Sequence, residues 1–247
     1  MSLTETNFRE KEFHNKLQSK GKERFENIFY KALYNMYEDF ILYISKKAKN
    51  KIVLDYGCGT GSVTQKIAVL NPFRLSGIDI SEVSINKAIE SAKSSKLQIN
   101  YSVDNCEETK FKAETFDLIF GSGILHHLNL KKSVSEINRV LKKNGEMVFL
   151  EPLGTNALIN FYRKLTPKSR SVDEHPFLKK DFDFIHSLFN QVTVKYYGFF
   201  TLIFFLLYGN PKKSLMFKVI SKLDNYFFRI KYFKSLAWSV MIVAKKN

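Results

Sequence analysis

The 247-residue sequence predicts an α/β fold in which a mostly parallel sheet is flanked by helices. Two observations carry this: several short apolar runs each end in an acidic residue, and the first of them opens directly into three alternating glycines. That first run, Lys51-Ile-Val-Leu-Asp55-Tyr-Gly57-Cys58-Gly59-Thr-Gly61-Ser62, reads as a buried central strand followed by a sharp turn. Glycines there let the backbone bend tightly and come close to a ligand. Two common sites are disfavoured by the spacing. A dinucleotide fingerprint needs its third glycine three residues after the second, where Ser62 stands, and a P-loop needs a Gly-Lys-Ser/Thr ending that is missing.

The following elements repeat the pattern. Gly77-Ile-Asp79-Ile80-Ser81 closes a second apolar strand on an acid, 24 residues after Asp55. In nucleotide-binding α/β folds such an acid binds ribose hydroxyls. Tyr101-Ser-Val-Asp104-Asn105 reads as a third strand. Thr115-Phe-Asp117-Leu-Ile-Phe-Gly121-Ser122-Gly-Ile-Leu-His126-His127 reads as a fourth strand with its loop, and Glu136 to Pro152 as a helix, a glycine turn at Gly145 and a fifth strand. In this order, over residues 50 to 152, the motifs resemble the class I S-adenosylmethionine-dependent methyltransferases, in their small-molecule, type 11-like branch. The resemblance implies a Rossmann-like fold with a seven-stranded, mostly parallel sheet, an N-terminal helical cap and an insertion near the C-terminus. It also implies S-adenosylmethionine as cofactor, with S-adenosylhomocysteine as product.

The chemistry of that cofactor agrees with the residues. A cationic sulfonium with a ribose diol and an adenine needs a glycine-lined opening, a carboxylate for the diol and an apolar slot with a polar edge. Asp55, Gly57, Cys58, Gly59, Gly61, Asp79, Ile80, Ser81, Asp104, Asn105 and Ser122 are therefore the expected cofactor residues. Taken singly, an acid at a strand end is often only a helix cap and a glycine only a turn.

Length fits one domain, divided into a cap at 1–49, a cofactor-binding core at 50–152, a substrate-side insertion at 153–190 and final strands at 191–247. In the cap, Phe25, Ile28, Phe29, Ala32, Leu33, Met36, Tyr37, Phe40 and Ile41 recur at helical intervals. Glu12-Phe-His14-Asn15 resembles a stretch at the start of many such enzymes, where the leading helix folds over the active site. The two cysteines, Cys58 and Cys106, are too few for a disulfide framework or a zinc cluster, and no metal centre is expected. The charged N-terminus is unlike a signal sequence, so a cytoplasmic setting is expected.

The net charge of +15 raises the question of nucleic acid, because clustered Lys and Arg neutralise phosphates. Here the nine Lys and Arg residues after Gly209 are spread among apolar residues at helix-like spacing, and the fourth-strand loop lacks both the base-amino motif and a Pro-Cys nucleophile. No specific nucleic-acid substrate is expected. The run Tyr196–Tyr208 is the most apolar in the chain, but its 13 residues fall short of the ~20 that span a bilayer. It reads as a buried strand leading into a helix or as an apolar lip, and with the lysines that follow it leaves peripheral membrane contact open. Oligomeric state is not legible.

Transfer of a methyl from a sulfonium needs mainly position, plus a base when the acceptor is a hydroxyl. His127, with His126 beside it and His14 in the cap, are the expected catalytic residues, His127 foremost. Tyr30 in the cap, with Arg163, Arg170, Glu174 and His175 in the insertion, are the expected acceptor contacts. Arg163 and Arg170 either clamp an anionic group or pair with Glu151, Asp173 or Glu174 as a structural network. The leading acceptor is a sugar or glycan precursor methylated on oxygen. The alternatives are a lipid or quinone-like acceptor at a membrane surface and a catalytically silent cofactor-binding module.

Overall fold

The computed structural model describes residues 3–19, 28–166 and 171–247, except the side chains of 28–30. At its centre lies a seven-stranded sheet in the order β3-β2-β1-β4-β5-β7-β6. Its strands are β1 (Ile52–Tyr56), β2 (Arg74–Asp79), β3 (Asn100–Val103), β4 (Phe116–Ser122), β5 (Leu141–Pro152), β6 (Gln191–Tyr197) and β7 (Ser239–Lys245). The pairings among β1 to β5 are parallel, and β7 runs antiparallel between β5 and β6. Strand order reverses beside β1, whose neighbours are β2 and β4. The carboxyl ends of strands diverge at such a point and leave a crevice for a ligand.

Helices cover both faces, which is why β1 reads as continuous apolar sequence. Val53 packs with Met36, Phe40 and Ile44 of α2 (Tyr34–Ala48) and Ile67 of α3 (Ser62–Ala68). Its neighbour Leu54 points to the other face, among Val134 and Ile137 of α5 (Leu130–Val140) and Ile185 of α7 (Lys179–Leu188). Short polar caps fix where helices begin: the Ser81 hydroxyl accepts from Ser84 N to start α4 (Glu82–Ser94), and Asn156 accepts from Leu158 N and Ile159 N to start α6 (Ala157–Leu165).

The expected cap contains α1 (Glu5–Ser19), a 3₁₀ turn at Ile28–Leu33 and α2. The cap's parts differ in role, since α2 packs on the sheet while α1 lies over the crevice. The expected insertion also divides. Phe177, Ile185 and Phe189, at and around α7, belong to the main core, because α7 covers the face that β5 and β6 leave open, while α6 and Glu174 stand beside the crevice. The apolar run after β6 forms the short α8 (Phe200–Ile203) and a 3₁₀ turn at Phe205–Leu207 rather than one longer helix. It is followed by α9 (Leu215–Phe227) and α10 (Lys231–Lys234). A small cluster of Tyr208, Phe217 and Ile220 holds this C-terminal group together. Among the described residues no helix is long and apolar enough to cross a membrane.

Candidate active site

Above the sheet's switch point lies a cavity of about 740 Å³. On one side its wall is backbone. After β1 the chain passes through Gly57 (φ 75°), Gly59 (φ 52°) and Gly61 (φ 79°), a left-handed sequence that side chains other than glycine resist. Gly57 N and Cys58 N donate to Ile78 O at 2.9 and 2.8 Å, laying the turn across β2. Asp79 fastens it, with Oδ2 accepting from Gly59 N and Oδ1 from Ser81 N, both at 2.9 Å.

The three glycines are required for different reasons. A Cβ on Gly57 would sit 2.5 Å from the Ile124 side chain, and one on Gly61 would collide with the Tyr101 hydroxyl. One on Gly59 would meet nothing within 4 Å. Gly59 therefore presents bare backbone to open cavity space, beside Asp55 and Asp79. That surface fits a bulky nucleoside with a diol and a positive charge. Asp55 is buried and accepts from Thr64 Oγ1 at 2.6 Å. Burial pushes its carboxyl up to about 7, with the Asp79 charge adding to the rise and the Thr64 bond opposing it. A cationic ligand would restore its ionised form.

Cys58, Ile80, Asn105 and Ser122 also line the cavity. Two further expected cofactor residues make contacts within the chain. Asp104 is turned inward, where it accepts from Asn105 N at 3.0 Å and Lys110 N at 3.1 Å and shapes the loop that presents Asn105. Ser81 caps α4 and donates to Asn15 Oδ1 at 2.7 Å, tying α1 to the core.

The facing wall is made of side chains. Glu151, at the end of β5, is fully buried. It accepts from Ile124 N and Leu125 N at 3.2 and 2.8 Å and lies 2.7 Å from His126 Nδ1. Burial pushes Glu151 up to about 7 against those bonds. It thereby organises the 3₁₀ turn Leu125–His127 and orients His126, whose Nε2 lies 3.9 Å from Glu174 Oε1. His127 Nδ1 lies 3.2 Å from Glu10 Oε2 and 3.1 Å from Ser171 Oγ.

Glu10 and His14 occupy one face of α1, one turn apart, with His14 Nε2 3.5 Å from Glu10 Oε2 and its ring edge-on to His127 at 5.3 Å. Burial alone would raise the Glu10 carboxyl, but the imidazoles of His127 and His14 outweigh it and hold it well below the usual range. Donor atoms of Glu10, His14 and His127 lie within 4.8 Å of one another, as do those of His126, His127 and Glu174. Either set has the donor types to hold a divalent cation, which the sequence reading did not foresee.

The three expected catalytic histidines thus meet at one place. The acceptor-side residues separate. Glu174 lines the cavity, whereas His175 gives its backbone N–H to His126 O at 2.8 Å and lines a smaller neighbouring pocket. Arg163 Nη1 donates to Leu153 O at 2.6 Å and to Asn160 Oδ1 at 2.8 Å. Of its expected ion partners, Asp173 pairs instead with Arg9 at 2.8 Å. Arg170 and the Tyr30 side chain lie outside the described residues. Sequence reasoning missed Glu10 and Ser171 and cast Glu151 only as a partner for arginines. An acid closing β5 before Pro152 repeats the pattern of Asp55 and Asp79, and was the available signal.

The methyltransferase-domain family profile matches residues 47–195. A ubiquinone biosynthesis O-methyltransferase of Pelagibacter ubique is 37% identical over 115 residues, 46% of this chain and 47% of that protein. The chain spans about half the length of the first curated relatives it matches. Phosphoethanolamine N-methyltransferase 2 of Haemonchus contortus, solved with phosphomonomethylethanolamine and S-adenosylhomocysteine, superposes with a TM-score of 0.63 at 17% identity, covering 87% of this chain and 53% of that one. The PH0226 protein of Pyrococcus horikoshii superposes with a TM-score of 0.59 at 19% identity, covering 87% and 91%. At these identities the structural likeness is one of fold.

Proposed function

Because the chain belongs to the methyltransferase-domain family and has the class I S-adenosylmethionine-dependent fold, we propose that it methylates a hydroxyl of an apolar, quinone- or lipid-like small molecule. The observation that carries this reading is the cavity itself. It has bare glycine backbone and two strand-end carboxylates on one wall, and a buried Glu–His cluster on the other. When bound, S-adenosylmethionine supplies the methyl group on a sulfonium that leaves as the neutral thioether. The chain's part is to hold the acceptor oxygen in line and to take its proton. His127, with Nδ1 against Glu10, is set to receive that proton at Nε2, and the Glu10 charge stabilises the imidazolium that results. His126, oriented by Glu151, stands beside it as a second polar contact.

Support for an apolar acceptor comes from the rest of the wall, where Leu33, Met36, Tyr37, Phe40, Leu150 and Trp238 line the cavity. The sugar reading drew on Arg163 and Arg170 as a clamp; Arg163 gives Nη1 to Leu153 O and Asn160, and Arg170 lies outside the described residues. One observation still favours it: Glu174 lines the cavity near His126 and offers a carboxylate to sugar hydroxyls. A cytoplasmic setting is consistent with Cys58 and Cys106 as buried free thiols.

The test is transfer of labelled methyl from S-adenosylmethionine to a panel containing prenylated catechols and phenols, sugar nucleotides, tRNA and duplex DNA. The prenylated hydroxyls should be methylated and the nucleic acids should not. Transfer confined to sugar nucleotides would return the acceptor to the second reading. Cofactor binding with no transfer to any class would identify a silent binding module.

A further inference from the structure

We propose that the outer face of α9, with the turn at Phe205–Leu207, is a docking surface for an anionic lipid bilayer. Along α9, Phe217, Ile220 and Asp224 are buried against the domain. The opposite stripe, Leu215, Val219, Leu223 and Tyr226, is 76, 52, 45 and 61% exposed. Leu206 and Leu207 nearby are 70 and 64% exposed. Both segments thus expose apolar side chains where a surface in water would normally carry polar residues, and Phe205 of the turn packs on the same Tyr208–Phe217–Ile220 cluster as α9.

Charge selects what covers it. Lys212, Lys213, Lys218, Lys222, Arg229 and Lys231 are all exposed around this stripe. Between residues 198 and 247 the sequence holds a single acid, Asp224. That acid is buried and faces inward, accepting from Phe200 N at 2.7 Å and Thr201 Oγ1 at 2.8 Å. The exposed ionised side chains that this C-terminal segment, 198–247, contributes are therefore all cations. A second copy of the chain would set these cations against their own kind, and a nucleic acid would leave the leucines uncovered. A bilayer with acidic headgroups satisfies both features: the stripe enters the headgroup–acyl boundary and the lysines lie among phosphates. The face also adjoins the site, since α8 and the Phe205–Leu207 turn pack on the Ile28–Leu33 turn, whose Leu33 lines the cavity.

The experiment is co-sedimentation of the full chain with phosphatidylcholine vesicles, with and without phosphatidylglycerol, across a salt series. Binding should require phosphatidylglycerol and weaken as salt rises. Replacing Leu215, Val219 and Leu223 together by Ser should abolish it, and Lys218→Glu with Lys222→Glu should weaken it about tenfold or more. These positions are exposed, so melting temperature and S-adenosylmethionine binding serve as controls that both variants are folded. No binding to phosphatidylglycerol vesicles at low salt would overturn the proposal, and so would equal binding by the serine variant. Self-association that the serine variant abolishes, without vesicle binding, would reassign the face to a dimer. Vesicle binding needs neither cofactor nor acceptor, so its outcome is separate from that of the methyl-transfer reading.

Discussion

The two walls of the cavity are built from different materials. Under β1 and β2 the wall is backbone, held by Gly57, Gly59 and Gly61 and fastened by Asp79, and all of it comes from the strand-end loops at 55–61 and 79–81. The facing wall is made of side chains brought together from α1, the turn after β4, the end of β5 and the segment 171–174. A backbone wall is specified by short motifs and has little freedom to vary. A side-chain wall depends on tertiary packing, and it is where substrate choice can change while the cofactor stays the same.

The sharpest way to separate the walls is His127→Ala. It should lower turnover by about 10² to 10⁴, the usual contribution of a general base, while leaving S-adenosylmethionine affinity unchanged. Steady-state kinetics beside a binding titration decides this. Unaltered turnover would reduce His127 to a packing residue of the Leu125–His127 turn. Glu10→Gln should lower turnover in the same direction but by less, because it removes only the charge that supports the imidazolium, and the acid limb of its pH–rate profile should shift toward lower pH, since the His127 imidazolium loses the carboxylate that stabilised it. An unshifted profile would disconnect Glu10 from the chemistry.

How much could be read from the sequence follows the same division. The order of strands, Asp55, the glycine turn and Asp79 were legible because each is a local pattern whose spacing has a geometric cause. The meeting of His14, His126 and His127 was anticipated only through resemblance. Glu10, 117 positions before His127, carries no local signal of that contact. Asp104 and Ser81 show why such residues are ambiguous: a carboxylate or hydroxyl at a strand end serves the backbone as readily as a ligand. Arg163, which lines the cavity, is ambiguous in the same way, since an arginine there can also spend a donor on a carbonyl. The exposed stripe of α9 was partly legible as an apolar and basic segment, but which side faced outward depended on how the Tyr208–Phe217–Ile220 cluster packs.

Smaller effects sharpen the comparison through stability. In the folded chain, Asp55 and Glu151 are held near 7 by burial, well above their unfolded values. Each binds a proton in the folded state that the unfolded state releases, so their contribution to stability is present at low pH and is lost as pH rises from about 4 to 7. In melting curves over that window, Asp55→Asn and Glu151→Gln should each flatten the decline relative to wild type. An identical decline would place neither carboxyl in a desolvated site. Least of all, Arg163→Ala should leave the acceptor's KM unchanged. It should cost about 1–2 kcal/mol, a few degrees in Tm, by stripping the Leu153 carbonyl of its donor. A raised KM with an unchanged Tm would restore Arg163 as a substrate clamp.

The central claim, that the glycine wall holds S-adenosylmethionine, is tested most directly by calorimetric titration of that cofactor and of S-adenosylhomocysteine into the wild-type chain and Gly59→Val. Both ligands should bind the wild type saturably, one per chain, and raise its melting temperature by mass action. The valine variant should stay folded, since its side chain enters open space and costs only backbone strain of about 1–2 kcal/mol, and it should show no heat of binding. Failure of both ligands to bind folded wild-type protein, or undiminished binding by Gly59→Val, would contradict the account.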